Sequence, residues 1–149
     1  LLRRQELSEA LKQVNLLLKN EPDNPRHLTL KGSILVRMGD HKTALNIFEN
    51  VLKSHPMQAP AQLSYGHTLK TIGRLEESIA AYRGAIEISP TIGEAYWSLA
   101  NLKTFEFSDD DIKAMRAAIA SGGGDADDQG HLAFALGKAL EDRKEYDES

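Results

Sequence analysis

The side chains that could carry out catalysis in this sequence form no recognisable reaction centre. The histidines are His27, His41, His55, His67 and His131. They include no pair four residues apart and no glutamate at the spacing of a zinc site. No serine, histidine and aspartate stand in a motif that would create a nucleophile. These residues therefore predict a chain without catalytic residues and without a bound metal ion.

Two short segments near the C-terminus could bind a phosphate group or a calcium ion, but each lacks an essential residue. Gly122-Gly123-Gly124 is not followed by the Lys-Ser or Lys-Thr of a phosphate loop. Asp125-x-Asp127-x-Gln129-Gly130 resembles the start of a calcium loop, but Leu136 stands where a bidentate glutamate is needed. We therefore predict no cofactor, and we interpret Asp127 or Asp128 as a helix cap.

Composition and charge exclude several classes of partner. The net charge is −4, and residues 106–149 hold five Lys or Arg against twelve Asp or Glu, whereas residues 1–53 hold nine against six. An acidic chain is poorly suited to nucleic acid, because affinity for nucleic acid depends on neutralising phosphates. There is no cysteine and no apolar run long enough to span a bilayer. The sequence predicts a soluble cytoplasmic protein without disulfides, nucleic acid or membrane contact.

A repeat of 34 residues defines the elements that must position any binding residue. Pro22, Pro56 and Pro90 are spaced at this interval, and so are Gly39 and Gly73. Between these positions the apolar residues recur at helical spacing, so each repeat predicts two helices. Glycine suits the sharp turn between the two helices, and proline ends the second helix.

Small residues at matching positions of the repeats predict where the helices approach closely. Gly32 and Gly66 fall inside first helices, although each lowers helix stability by about 1 kcal/mol. Ala44 and Ser78 match each other in the second helices. We expect neighbouring helices to pack most closely at these four positions.

The pattern resembles the tetratricopeptide repeat. The Leu-Gly pair of that family's first helix is matched by Tyr65-Gly66, Leu99-Ala100 and Leu136-Gly137, and its turn is matched by Gly73-Arg74-Leu75. The resemblance covers nearly the whole chain. It implies an all-α fold, a right-handed superhelical solenoid of antiparallel helix pairs. Because the sequence begins and ends within a repeat, we expect a solenoid truncated at both ends.

The phase of the repeat divides this single domain into segments. We predict the second helix of a partial repeat at 1–24, repeats at 25–58 and 59–92, an irregular repeat at 93–129, and the first helix of a truncated repeat at 130–149. In the irregular repeat, Ser108 with Asp111 three residues later predicts a capping box that starts the second helix. Gly130 is expected to open the last helix, and Lys144 is expected to begin a turn.

The resemblance implies that the first helices line a concave groove in which matching positions form rows. We predict that a peptide binds to Arg37, Leu63, His67, Lys70, Trp97, Asn101, Phe134 and Lys138, with Phe105 in a flanking row. Tyr96 matches the buried aromatic of the family, so Trp97 lies about 100° further round the helix and is expected to face the groove. Aromatic side chains edged by Lys and Arg suit a peptide with apolar anchors and acidic groups.

The first function that these features favour is a non-catalytic scaffold that binds a peptide or protein segment. The family includes a two-carboxylate clamp with Lys and Asn one helical turn apart. Thr29 and Ser33 occupy the matching positions here, so that clamp is not expected. Apolar surface at the two ends of the solenoid also predicts possible self-association.

The alternative function follows from a narrower resemblance. Residues 96–107 and 131–142 look like the repeat region of bacterial proteins that join tetratricopeptide repeats to a sulfotransferase domain. If so, the chain would be the substrate-recruiting or oligomerising arm of an enzyme. Its donor, 3′-phosphoadenylyl sulfate, would be bound by a domain downstream of residue 149.

Overall fold

The fold is all-α. The computed structural model describes the backbone of residues 2–148 and the side-chain surroundings of residues 3–144, and within residues 2–148 it has eight helices and no strand. The helices are α1 (Leu2–Asn20), α2 (Pro25–Arg37), α3 (His41–Ser54), α4 (Ala59–Thr71), α5 (Leu75–Ile88), α6 (Gly93–Ala100), α7 (Asp109–Ser121) and α8 (Ala126–Glu148). The predicted all-α fold class is confirmed.

The chain forms two compact units, unit 1 with residues 1–81 and unit 2 with residues 82–149, and α5 contains the boundary between them. In unit 1, α1 packs on α2, α2 packs on α3, and both α2 and α3 pack on α4. In unit 2, α8 packs against α6 and α7. The core of unit 2 includes the buried side chains of Tyr96, Met115 and Leu132.

Small residues mark the closest helix contacts of unit 1. Ala44 and Ser78 are completely buried, and Ser78 Oγ donates a hydrogen bond of 2.8 Å to the carbonyl oxygen of Gly66. A Cβ atom added to Gly32 would lie 2.6 Å from ring carbons of Phe48. The predicted close approach is therefore confirmed at Gly32 and Ser78, and Ala44 is buried as that prediction requires.

The turns between the paired helices require glycine. Gly39 has φ +90° and Gly73 has φ +86°, a left-handed conformation that a Cβ atom disfavours. After the first of these turns, Asp40 N donates to the carbonyl oxygen of Leu35 at 2.8 Å. This bond satisfies a carbonyl group in the last turn of α2 and reverses the chain into α3.

Unit 2 departs from the regular repeat after α6, which ends at Ala100 after only 8 residues. Residues 101–108 connect α6 to α7. The predicted capping box then starts α7: Asp111 N donates to Ser108 Oγ at 3.1 Å, and Ser108 N donates to Asp111 Oδ2 at 2.9 Å. This prediction is confirmed.

Helix α8 is longer than predicted. It begins at Ala126, before the predicted start at Gly130, because Asp125 and Asp128 form a reciprocal cap. Asp128 N donates to Asp125 Oδ1 at 2.9 Å, and Asp125 N donates to Asp128 Oδ2 at 3.1 Å. The helix continues through Lys144 to Glu148, so the predicted turn at Lys144 is wrong.

Candidate functional site

A small cavity of unit 1 brings together polar residues from α2 and α4. Its volume is about 180 Å³, and it is lined by Ser33, Val36, Arg37, Phe48, Ser64, His67 and Thr68. Arg37 and His67 are two of the predicted binding residues, and Ser33 lies one helical turn before Arg37 on α2. A guanidinium, an imidazole and hydroxyl groups therefore line one small cavity, and His67 also has an interaction within its own chain.

A larger and mainly apolar cavity lies between α1 and α2. Its volume is about 500 Å³, and its lining includes Leu7, Val14, Leu17 and Leu30 together with Ser33 and Arg37. Ser33 and Arg37 thus line both cavities. One face of α2 therefore lines both cavities.

Of the three helices that line the smaller cavity, α2 and α4 carry only positive charge, whereas α3, which supplies Phe48, contains Glu49. Arg26, Lys31 and Arg37 lie on α2 and Lys70 lies on α4, and neither helix contains an Asp or Glu. Within the described part of the chain, Arg37 and Lys70 form no ion pair. Since like charges close together repel each other, this face favours a ligand with negative charge.

The other two predicted residues of unit 1 lie on α4 about one helical turn to either side of His67, but they do not line the smaller cavity. Leu63 and Lys70 are both partly buried, and neither side chain lines that cavity. Sequence reasoning missed Ser64, which does line it. Matching positions between repeats gave no signal for Ser64, because the corresponding residue of the preceding repeat is the apolar Leu30.

In unit 2, neighbouring aromatic residues on α6 have different surroundings. Tyr96 is buried in the core, as predicted, whereas Trp97 is 38% exposed. The Trp97 ring lies 5.6 Å from the ring of His131 on α8, centroid to centroid, at 46°. Burial raises the pKa of the Tyr96 hydroxyl, and the nearby Asp111 carboxylate raises it further.

The other predicted residues of unit 2 are Asn101, Phe134 and Lys138. The side chain of Phe134 is 50% exposed on α8, and Lys138 on the same helix is partly buried. Asn101 is exposed, but its Nδ2 donates to the carbonyl oxygen of Trp97 at 2.8 Å. This bond caps the end of α6, so the amide group of Asn101 has a structural role there.

Phe105 does not lie on a first helix, because α6 ends before it. Its ring lies 5.2 Å from the Arg83 guanidinium and 5.0 Å, edge to face, from the Phe107 ring. Arg83 also makes two hydrogen bonds to Asp111, of 2.9 and 3.1 Å. Partial burial opposes ionisation of Asp111, but Arg83 and Ser108 outweigh it and hold the pKa of this carboxyl below its usual value. The prediction that Phe105 lies in a row flanking the groove is wrong. Its contacts with Arg83 and Phe107 instead stabilise the connection formed by residues 101–108.

Neither metal ligation nor a membrane span is supported within the described residues. They contain no group of three or more His, Cys, Asp or Glu side chains that could hold a metal ion. Among the described helices, none is both long enough and apolar enough to cross a bilayer.

The sequence matches the family model described as "Psidin, N-terminal TPR repeats region" over residues 1–116. The chain belongs to this tetratricopeptide repeat family. The match includes all of the helices from α1 to α6, and therefore the three helices that line the smaller cavity, α2, α3 and α4. In tetratricopeptide terms, α2 and α4 are first helices and α3 and α5 are second helices.

Two relatives with curated names are similar over most of this tetratricopeptide repeat chain. The small glutamine-rich tetratricopeptide repeat-containing protein 2 of Mycosarcoma maydis is 24% identical over 117 residues, which are 78% of this chain and 33% of the relative. The DnaJ homolog subfamily C member 3 of Homo sapiens is 26% identical over 136 residues, which are 91% of this chain and 26% of the relative. The chain thus spans a third or less of the length of these relatives.

The fold of this chain is also similar to that of a solved structure. The crystal structure of MamA superposes with a TM-score of 0.61 and 17% sequence identity, and the match covers 99% of this chain and 94% of that chain. At this identity the similarity concerns the fold. The sulfotransferase resemblance of residues 96–107 and 131–142 finds no counterpart in the family, relatives or structure named here.

Proposed function

We propose that this chain is a non-catalytic scaffold, and that the face of unit 1 formed by α2 and α4 binds an acidic segment of another polypeptide. The supporting observation is the smaller cavity, where Arg37, His67, Ser33 and Ser64 meet on two helices, α2 and α4, that lack acidic residues. Membership of a tetratricopeptide repeat family agrees with a role in protein interaction.

The chemistry of the cavity favours a carboxylate as the anchoring group. The planar guanidinium of Arg37 suits bidentate contact with a carboxylate, and the hydroxyl groups of Ser33 and Ser64 are additional donors. The apolar cavity next to Arg37 contains Leu17 and Leu30, so it suits an apolar side chain of the same segment. An extended segment with an acidic residue close to an apolar residue fits both cavities.

The charge on Arg37 is expected to dominate this affinity. Peptides selected from a random phage-displayed library on the purified chain should be enriched in Asp and Glu. Replacing Arg37 by glutamine should lower the affinity of the chain for the selected peptide by about tenfold or more. The reason is that a charge-assisted hydrogen bond and its Coulomb attraction are lost. Fluorescence anisotropy with the labelled synthetic peptide measures the change.

The matched control is Arg26→Gln, which removes the same charge from the same helix at an exposed position outside both cavities. It should change the affinity by less than about twofold, because exposed charges at a distance are screened by salt. Equal losses in the two variants would contradict the assignment of this site. Selected peptides without acidic residues would contradict it as well.

In unit 2, Trp97 is a second surface that could contact a polypeptide partner. We expect Trp97→Ala to weaken a partner bound there by about 2 kcal/mol or more, as truncation of an aromatic hot spot does. The helicity should not change, because the ring is partly exposed.

Tyr96→Ala is the comparison variant, because the adjacent tyrosine is buried and its loss should unfold unit 2. Circular dichroism and calorimetric titration of both variants separate the roles. If Trp97→Ala unfolds unit 2 as Tyr96→Ala does, Trp97 is a core residue.

The sulfotransferase arm and the cytoplasmic location stay predictions from the sequence. The names of the family and of the relatives do not mention a sulfotransferase. The natural gene product tests this alternative directly: a downstream domain that binds 3′-phosphoadenylyl sulfate would support it. A complete reading frame without such a domain would contradict the sulfotransferase alternative.

A further inference from the structure

Trp97 and His131 form a ring pair in unit 2 that the first turns of α6 and α8 hold in place. Gly93 N donates to Asp128 Oδ1 at 3.1 Å, and this bond joins the two helices one turn before the two rings. The ring centroids lie 5.6 Å apart and the ring planes are inclined at 46°. The rings are thus tilted rather than stacked, and Trp97 stays 38% exposed. Part of the tryptophan ring is therefore open to a ligand.

Trp97 is exposed although its repeat has both of its helices. The second helix, α7, is in place and packs against α8. Tyr96, beside Trp97, fills the core together with Met115. The Nδ1 atom of His131 is buried and has no hydrogen-bond partner within the described chain, so this histidine presents its ring rather than that nitrogen to a bound group. Folding of unit 2 gives no reason for an exposed tryptophan at this position, which makes the ring pair a candidate contact surface.

Unit 2 is acidic, and a carboxylate lies beside the ring pair. Residues 82–149 hold 7 Lys or Arg against 14 Asp or Glu, a net charge of −7. Asp127 lies one turn before His131 on α8, is exposed, and makes no ion pair among the described residues. Lys138 lies nearly two turns after His131 on the same helix, so it is the more distant charge. The charges around the rings therefore favour a cation.

The same unit already holds a guanidinium between an aromatic ring and a carboxylate. The Arg83 guanidinium lies 5.2 Å from the centroid of the Phe105 ring and makes hydrogen bonds of 2.9 and 3.1 Å to Asp111. The π face of a ring attracts a cation, and tryptophan does so more strongly than phenylalanine. Among the described residues, no Lys or Arg lies over the Trp97 ring. Trp97 and Asp127 thus offer the same two kinds of partner to a cation from outside the chain.

We propose that the ring pair of Trp97 and His131, with Asp127 beside it, binds an arginine side chain of a polypeptide partner. A guanidinium suits both contacts at once, because its face stacks on an aromatic ring while its N–H groups donate in the plane. The ammonium group of lysine is a point charge without such a plane, so arginine is the better occupant. This inference rests on the proposal that Trp97 contacts a polypeptide. It does not involve the smaller cavity of unit 1, so either site can fail without the other.

Subtractive peptide selection tests the occupant. A random phage-displayed library is depleted on the Trp97→Ala chain, which keeps the site of unit 1, and the remainder is selected on the unaltered chain. The recovered peptides should be enriched in arginine. Replacing that arginine by citrulline, its uncharged isostere, should lower the affinity at least about tenfold in fluorescence anisotropy with the labelled peptide.

The outcomes of this selection separate the inference from the proposal on which it rests. Peptides that need Trp97 but contain no arginine, or that bind equally well with citrulline, overturn the arginine inference and leave Trp97 as a contact surface. A selection that yields no peptide dependent on Trp97 overturns both. Arg37→Gln should leave the affinity for the arginine peptides unchanged, because the site of unit 1 is not used.

Ring substitutions distinguish a cation–π contact from an apolar contact. Trp97→Phe keeps an aromatic face, whereas Trp97→Leu keeps apolar volume without one. Trp97→Leu should lower the affinity for the arginine peptide by about tenfold, and Trp97→Phe by about threefold or less. Circular dichroism of both variants checks that unit 2 stays folded. Equal losses in the two folded variants would show an apolar contact and overturn the inference.

A matched pair of substitutions tests the carboxylate, and it serves even where a ring variant unfolds. Asp127 and Asp110 are both exposed, both lie in the first turn of a helix, and neither makes an ion pair among the described residues. Asp127→Asn should lower the affinity for the arginine peptide by about threefold, as loss of an exposed ion pair does. Asp110→Asn should change it by less than about 1.5-fold, because α7 supplies neither ring and exposed charges are screened by salt. Equal effects of the two variants overturn the inference.

Discussion

Gly93→Ala is expected to lower the free energy of unfolding of unit 2 by about 3 kcal/mol or more, the upper part of the range for overpacked sites. A Cβ atom on Gly93 would lie 2.2 Å from the carbonyl oxygen of Asp128 and 2.8 Å from its Cα atom. These are backbone atoms of α8, so no side-chain rotation relieves the clash. Gly93 N also donates to Asp128 Oδ1 at 3.1 Å, and a displaced backbone would weaken this bond.

The chain provides its own probe and control for this prediction. Trp97 is the only tryptophan and lies in unit 2, so its fluorescence during urea denaturation reports on that unit. Gly130→Ala makes the same chemical change in a helix with open space around the new methyl group. It should stabilise unit 2 by up to about 1 kcal/mol. If Gly93→Ala unfolds at the same urea concentration as the unaltered chain, α6 and α8 are not in contact at Gly93.

The regular part of the fold could be predicted because local and repeated signals agree there. The 34-residue period, the turn glycines Gly39 and Gly73, and the buried small residues Ala44 and Ser78 all indicate the same helix pairs. The start of α7 could be predicted from Ser108 for a related reason, since a capping box needs only two residues at a fixed spacing.

The ends of α8 could not be predicted by extending the period. At the start, Asp125 and Asp128 satisfy backbone donors that the helix would otherwise leave unpaired, so the helix begins four residues before Gly130. At the other end, Lys144 matched the turn position of the repeat, but residues 145–149 contain no glycine or proline, and the helix continues to Glu148. A local cap, or its absence, outweighs the register of a distant repeat.

The candidate site was predictable in its residue types and less so in its shape. Matching positions in the repeats singled out His67 and Arg37, which the structure places at one cavity. They did not indicate Ser64, because only the packing of α2 against α4 brings that hydroxyl group to the same place. Phe105 was misplaced because nothing in the sequence showed that α6 ends at Ala100.

Gly32→Ala is expected to lower the free energy of unfolding of unit 1 by about 2–3 kcal/mol, because the new methyl group overpacks a filled core. Its Cβ would lie 2.6 Å from both Cε1 and Cζ of Phe48 and 3.2 Å from Cδ1. The Phe48 ring is completely buried, so it can give way only toward the small cavity that it lines. Urea denaturation followed by circular dichroism measures the loss.

A double-mutant cycle with Phe48→Leu identifies the cause of that loss. The smaller leucine side chain leaves room for a methyl group at position 32, so Gly32→Ala should cost much less in the Phe48→Leu background. The coupling free energy between the two positions should be about 1–2 kcal/mol, within the range for residues in direct contact. Additive effects within about 0.5 kcal/mol would contradict the contact, since separate sites add to that accuracy. The sign of the coupling therefore tests whether glycine is required at position 32 because an aromatic ring packs on it.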